Sequence, residues 1–151
     1  MSAQVVATTV LLAEDDANDV WLIKRVLVPM LPRMRFQVVS DGSEAIQYLS
    51  GQGQFADRAV SPLPSLVLLD IQLPGLSGIE VLRWIRKHPT LHSLVVVMLT
   101  GSESEEHLRL CYELHVNSYL KKSPLLSTPD ASRAVLGYWL NTNLLPLAGL
   151  T

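Results

Sequence analysis

Acidic side chains stand at the carboxyl ends of two apolar segments. The segment LVLLD ends in Asp70, and the segment TTVLLAE ends in Glu14, with Asp15 next. Carboxylates about 4 Å apart repel each other by roughly 4 kcal/mol at an effective dielectric of about 20, so such a cluster is tolerable around a divalent cation. Ligands that are all oxygen favour a hard ion such as Mg²⁺, and no His or Cys lies at ligand spacing to favour zinc.

A hydroxyl and an amine follow two further apolar segments. Thr100 ends VVVMLT, and Lys122 ends SYLKK. A carboxylate beside Mg²⁺, with a lysine and a hydroxyl nearby, can accept a phosphoryl group. The metal ion and Lys122 would offset charge on the phosphoryl oxygens while Asp70 attacks in line.

These groups meet only if their segments form one sheet. Short apolar runs alternate with amphipathic stretches along the chain, which is typical of a parallel sheet covered on both faces. We predict an α/β, doubly wound (βα)5 flavodoxin-like fold, in which the carboxyl ends of the strands share one edge and form the ligand site. The five predicted strands are TTVLLAE (8–14), RFQVVSDG (35–42), LVLLD (66–70), LVVVMLT (94–100) and VNSYLKK (116–122).

Capping residues predict where three helices begin. Ser77 with Glu80, and Ser102 with Glu105, have the spacing of capping boxes. Thr128 before Pro129 predicts the start of the last helix.

Composition excludes several classes of function. The chain has 151 residues, 48% of them hydrophobic and 17% charged, a net charge of -2 and one cysteine. It fits one domain (1–151), with a core at about 8–143 and an apolar tail at 144–151. The charge gives no footprint for DNA or a membrane surface. No signal peptide or spanning segment is found, so we expect a cytoplasmic protein.

The motifs together resemble the receiver domain of two-component response regulators, the CheY-like fold. LLAEDD, LLDIQLPGLSG, LT and YLKK carry the resemblance, which covers about residues 8–143. It implies a stoichiometric phosphoacceptor, not an enzyme, that takes a phosphoryl group from a histidine kinase with Mg²⁺. Limited self-phosphorylation from small donors and self-dephosphorylation are also implied.

The resemblance also assigns roles to residues. Asp70 is implied as the phosphoacceptor, and the carbonyl of Gln72 as a further ligand of the metal ion held by Glu14, Asp15 and Asp70. Thr100 and Tyr119 match the switch pair, and Lys122 matches the lysine that contacts the phosphoryl group. Ser123 departs from the proline that usually follows this lysine, which leaves the shape of that loop open because a cis bond before serine costs about 3–4 kcal/mol.

Sequence features outside the site suggest which kind of partner the protein has. The long loop at 50–65 is predicted to lie at the surface. Together with LHVNSYLKKS and GYWL it resembles the stand-alone receivers that partner cyanobacterial phytochrome kinases. No DNA-binding motif follows the last predicted helix, so we expect output through a protein contact.

The C-terminal third also predicts a homodimer, built through its helices and tail. It has more apolar residues than one helix face on a sheet requires, and exposed apolar patches usually mark an interface. The alternative is a tail that folds back over its own domain. The residues concerned are Val135, Leu136, Tyr138, Trp139, Leu140, Leu144, Leu145, Leu147 and Leu150, with Leu108, Cys111 and Leu114 of the preceding helix extending the patch.

Two other functions remain open. An aspartyl-phosphate phosphatase of the haloacid dehalogenase type would need a second acid where Gln72 stands, and a pseudo-receiver acting by contact alone would have lost part of the acid, threonine and lysine set. A flavodoxin-like nucleotide site would need a glycine-rich loop, which AEDDAND lacks. Asp16 and Asp19 are expected to cap or solvate the first helix.

Overall fold

A five-stranded parallel sheet forms the centre of the molecule, as predicted. The computed structural model describes residues 8–30 and 33–146. The strand order is β2-β1-β3-β4-β5, and every neighbouring pair is parallel. The strands are β1 (Thr8–Ala13), β2 (Met34–Val39), β3 (Leu66–Asp70), β4 (Val95–Thr100) and β5 (Ser118–Lys121).

Helices cover both faces of this sheet. None in the described part of the chain is long and apolar enough to cross a membrane. The helices are α1 (Ala17–Leu27), α2 (Gly42–Ser50), α3 (Gly78–Lys87), α4 (Glu105–Glu113), α5 (Lys122–Leu126) and α6 (Pro129–Gly137), with 3-10 turns at Val28–Met30 and Gly53–Phe55 and a π-helical turn at Tyr138–Thr142.

The core consists of two apolar layers, one on each face of the sheet. Residues of one strand alternate between the layers, because successive side chains point to opposite faces. In β3, Val67 and Leu69 pack in the layer covered by α2, α3 and α4, while Leu66 and Leu68 pack in the layer covered by α1, α5 and α6. All of β3 is buried, so Asp70 is the polar end of a strand that has no solvent-facing side.

The predicted helix starts hold in two cases and fail in one. Ser77 and Glu80 form a complete capping box at α3, and the Thr128 side chain caps α6. The predicted capping box of Ser102 and Glu105 is wrong, because the side chain that caps α4 belongs to Ser104. Ser102 instead bonds through its backbone to Thr100.

The loop at 50–65 lies at the surface and is tied to α2. The Arg58 guanidinium donates to the carbonyls of Tyr48, at 2.7 Å, and Leu49, at 2.8 Å, at the end of that helix. The Tyr48 hydroxyl donates to the carbonyl of Pro62, at 2.8 Å. The insertion is therefore held by hydrogen bonds at the C-terminus of α2, an arrangement that its composition did not predict.

Much of the apolar C-terminal patch is covered by the protein itself. Leu136 is buried, Val135, Trp139, Leu140 and Leu145 pack against the core layer beneath α1, and Cys111 lies in the opposite layer. The prediction that Cys111 extends an exposed patch was wrong, because its side chain has no exposed surface. Tyr138 at 50% and Leu144 at 93% are exposed, and Leu147 and Leu150 lie outside the described residues.

Candidate functional site

The predicted site residues converge at the carboxyl edge of the sheet. Asp70 ends β3, Thr100 ends β4, Glu14 directly follows β1, and Lys122 directly follows β5. Glu14, Asp70 and Thr100 are buried, whereas Asp15 is exposed. Parallel pairing of β1, β3, β4 and β5 is what brings together residues that are far apart in the sequence.

Asp70 is fixed by the turn that connects β3 to α3. The backbone N–H of Gln72 donates to Asp70 Oδ1 at 3.1 Å, and the N–H of Gly78 donates to the carbonyl of Ile71 at 2.8 Å. A Cβ added at Gly78 would lie 2.0 Å from the Asp70 carbonyl oxygen. The start of α3 therefore packs directly on the backbone of Asp70, and only glycine fits there.

Glu14 is a buried acid whose two oxygens have different partners. Its Oε1 accepts a hydrogen bond from the N–H of Asp16 at 3.1 Å. Its Oε2 forms an ion pair with Lys122 Nζ at 2.6 Å and has no further partner among the described residues. Burial raises the pKa of Glu14 to about 7, against the opposing effect of Lys122.

The Lys122 ammonium lies among three carboxylates. Its Nζ is 2.6 Å from Glu14 Oε2, 2.9 Å from Asp70 Oδ2 and 2.9 Å from Asp19 Oδ2. Burial alone would lower the pKa of Lys122, but the three acids outweigh it and the pKa is raised. The amine therefore carries its charge at any physiological pH.

Three acids in this cluster can hold a divalent cation. One oxygen each from Glu14, Asp15 and Asp70 lies within 4.8 Å of the others. All three ligands are carboxylates, the donor type that Mg²⁺ takes together with water. Glu14 Oε2 has no partner besides Lys122 among the described residues, so a metal ion would have one ion pair to displace there. These residues fit a magnesium site, and the predicted contribution of the Gln72 carbonyl stays a prediction.

The predicted switch residues, Thr100 and Tyr119, have different hydrogen-bonding environments. Thr100 Oγ1 donates to the carbonyl of Ser102 and accepts from its N–H, both at 3.0 Å. The Tyr119 hydroxyl is buried and makes no hydrogen bond of normal geometry with any described residue. Burial raises the pKa of Tyr119, and the nearby Thr100 hydroxyl partly offsets this. The two groups are close enough to interact, and each can change partner.

Asp19 is the residue that sequence reasoning missed. The cap of α1 is supplied by Asp16, whose side chain accepts from the N–H of Asp19 at 3.0 Å. The Asp19 side chain points instead to Lys122. Its place in the first turn after the acidic strand end was the available signal, but the sequence does not reveal which way the side chain turns.

Comparison with known proteins agrees with this geometry. Residues 10–127 match the response regulator receiver domain family. Response regulator Rcp1 of Synechocystis sp. is 39% identical over 142 residues, which cover 92% of this chain and 93% of Rcp1.

Two solved structures have the same fold over almost the whole chain. The phosphorylated cyanobacterial phytochrome response regulator RcpA matches with a TM-score of 0.86 at 36% identity, over 94% of this chain and 100% of RcpA. The Mn²⁺-bound form of Rcp1 matches with a TM-score of 0.84 at 37% identity, over 93% of this chain and 99% of Rcp1. The chain belongs to the response regulator receiver domain family, which confirms the class predicted from its motifs.

Proposed function

We propose that this receiver accepts a phosphoryl group on Asp70 in the presence of Mg²⁺ and signals through a phosphorylation-dependent protein contact. The observation that supports it is the convergence of three metal-binding carboxylates and the Lys122 ammonium at one sheet edge. The phosphorylated protein is then itself the signal, and no turnover of a substrate is required.

The chemistry follows from the positions of the side chains. An oxygen of Asp70 forms a bond to phosphorus while the bond between phosphorus and the donor breaks, and the donor leaves with the electron pair and takes up a proton. A bound Mg²⁺ ion would offset negative charge on the phosphoryl oxygens. Glu14, Asp15 and Asp70 would hold that ion, and Lys122 supplies a second positive charge 2.9 Å from Asp70.

The donor that we propose is a histidine kinase of the phytochrome type. Support comes from Rcp1 and from RcpA, the latter described as a phytochrome response regulator. Both are similar to this chain over nearly their whole length, which supports a donor of the same type. Phosphoryl transfer from a phytochrome kinase that is faster than transfer from unrelated histidine kinases supports this donor, and equal rates contradict it.

A switch from Thr100 to Tyr119 would carry the signal outward. A phosphoryl group on Asp70 offers oxygen acceptors to the Thr100 hydroxyl, which must then leave Ser102. The space it vacates is open to Tyr119, whose hydroxyl has no competing hydrogen bond among the described residues. A Thr100→Ala protein should therefore still accept the phosphoryl group but lose the change in partner affinity that wild-type protein shows.

The decisive experiment is labelling by acetyl phosphate. We expect a mass increase of one phosphoryl group that requires Mg²⁺, is labile in alkali and is lost in Asp70→Asn. Asp130→Asn removes a surface acid and should be labelled like the wild type. Equal labelling of Asp70→Asn contradicts the assignment. Absence of labelling in the wild type would favour a pseudo-receiver, and catalytic release of phosphate from many substrates would favour the phosphatase.

We also propose a homodimer, on a smaller surface than the sequence predicted. Several apolar side chains of the C-terminal third pack on their own domain, so the interface would use exposed ones. Among the described residues, the large apolar side chains exposed there are Leu108, Tyr112, Tyr138 and Leu144. Sedimentation equilibrium at micromolar concentration, compared with Leu144→Asp, tests this. A mass of 16.7 kDa for the wild type, with and without phosphorylation, contradicts it.

A further inference from the structure

Lys122 has one carboxylate partner that lies outside the proposed metal site. Glu14 and Asp70 contact the ammonium and also belong to the acidic triad that can hold a cation, whereas Asp19 contacts the ammonium alone. Both side chains of the ion pair between Lys122 and Asp19 are largely buried, with 16% of Lys122 and 20% of Asp19 exposed. The pair also links α1 to the end of β5, 103 residues apart in sequence.

Metal binding changes what Lys122 can contact. An ammonium has three N–H donors, and in this structure three carboxylates surround it. A divalent cation held by Glu14, Asp15 and Asp70 would draw two of those carboxylates toward itself. Asp19 would then be the acid that still holds the amine.

The side chain of Asp19 is well placed for that role. Its backbone is fixed in the first turn of α1, where its N–H donates to the capping side chain of Asp16. The positive end of the helix dipole favours a carboxylate at this position. Lysine, by contrast, has a long flexible stem whose ordering costs rotamer entropy. A fixed acid beside it reduces the number of orientations the amine can take.

We infer that Asp19 is a positioning residue, which holds the Lys122 ammonium beside Asp70 when a metal ion engages Glu14 and when the phosphoryl group arrives. The inference rests on the proposed phosphorylation of Asp70. Asp19 lies outside the acidic triad of Glu14, Asp15 and Asp70 and contacts Lys122, so it acts through Lys122. An acid that merely solvated or capped α1 would have no effect beyond helix stability.

The first test measures phosphorylation by acetyl phosphate at saturating Mg²⁺. Asp19→Asn should slow labelling about tenfold, which is less than the roughly hundredfold cost of a 1 Å misplacement, because Lys122 still contacts Asp70. Asp19→Glu keeps the charge and should recover part of the rate. Asp130→Asn removes the acid in the first turn of α6, which pairs with Arg133 and not with Lys122, and should label at the wild-type rate.

A double-mutant cycle then asks whether Asp19 acts through Lys122. In a Lys122→Met background, adding Asp19→Asn should change the labelling rate by less than about twofold. A tenfold loss in that background would overturn the inference, as would wild-type labelling of Asp19→Asn or equal slowing by Asp130→Asn. These outcomes leave phosphorylation of Asp70 intact. If wild-type protein is not labelled at all, both the inference and the proposed function fail.

A second readout needs neither metal nor phosphate. In metal-free urea unfolding, Asp19→Asn should lower the midpoint in the wild-type background, because Lys122 loses a partner. In the Lys122→Met background it should leave the midpoint unchanged or raise it, because removing one of several unpaired acids relieves repulsion. The same decrease in both backgrounds would contradict a pairing of Asp19 with Lys122.

Discussion

Two cations, Lys122 and Arg86, lie at opposite edges of the sheet and have different partners. Lys122, at the carboxyl ends of the strands, is surrounded by carboxylates. Arg86, at the end of α3, reaches the segments that lead into β4 and β5, and its partners among the described residues are all neutral oxygens. These are the carbonyls of His92, Leu94, Leu114 and His115 and the side-chain oxygen of Asn117, at 2.8–3.2 Å.

The two cations differ in whether their partners can be exchanged for others. Acids raise the pKa of Lys122, whereas burial lowers the pKa of Arg86 because no acid compensates for it. Carboxylates can exchange a lysine for a metal ion, and a phosphoryl group can replace one of them as the partner. Backbone carbonyls have no comparable alternative. We therefore assign Lys122 to function and Arg86 to the joining of α3 with two loops.

The largest effect on function should come from Lys122. Lys122→Met removes the ammonium beside Asp70, and we expect the rate of labelling by acetyl phosphate to fall about a hundredfold, the scale seen when a charge-stabilising donor is lost. Lys121→Met is the matched control, since that neighbouring lysine is exposed and pairs with Glu103. Equal labelling rates in the two variants would contradict a functional role for Lys122.

Arg86 should show the reverse behaviour. Arg86→Met leaves several carbonyls without their donor, and we expect the free energy of unfolding to fall by about 3 kcal/mol. The rate of phosphorylation of the protein that remains folded should stay at the wild-type value. Lys87→Met, one residue further along the same helix turn and exposed, controls for loss of a positive charge. A selective loss of phosphorylation in Arg86→Met would contradict a structural role.

Two glycines at the carboxyl edge of the sheet differ in how closely the backbone packs around them. A Cβ at Gly78 would meet the Asp70 carbonyl, while one at Gly101 would meet nothing within 4 Å. Gly78→Ala should lower the free energy of unfolding by about 2 kcal/mol, as overpacking does, and should slow phosphorylation by displacing Asp70. Gly101→Ala should match the wild type in urea unfolding. Similar midpoints for both variants would show that the β3–α3 turn adapts freely.

The sequence predicted the sheet and the main site because both depend on strong local patterns. Buried strands such as LVLLD are continuous apolar runs, and Asp70 is conspicuous at the end of one. Once the strands are parallel, the positions of Glu14, Thr100 and Lys122 follow from topology alone.

The misses depend on side-chain direction and on competition between neighbouring caps. Ser102 and Ser104 are both suitable caps, and the sequence does not reveal that the Thr100 hydroxyl already engages Ser102. The position of Asp19 in the sequence is equally compatible with a side chain that points to solvent and with one that contacts Lys122. The short helix α5 was missed because KKSPLL contains a proline and has no apolar periodicity.

Cys111 completes the comparison as a buried ionisable group with no polar partner among the described residues. Burial raises the pKa of its thiol to about 11 from an ordinary value of 9.0, so the folded protein keeps the proton at a pH where the unfolded chain releases it. Stability must then fall as pH rises above about 9, because the unfolded state binds fewer protons there. Between pH 8 and pH 10 the expected loss from this group is about 1 kcal/mol.

Urea unfolding at those two pH values, for wild-type protein and for Cys111→Ala, isolates this contribution. The alanine variant should be less stable at pH 8, because a packed side chain is lost, but should lose less stability on going to pH 10. Tyrosines and lysines that titrate in the same range are present in both proteins and cancel in the difference. An identical pH dependence would mean that the thiolate is stabilised inside the core. The pKa of Cys111 would then not be raised in the folded protein.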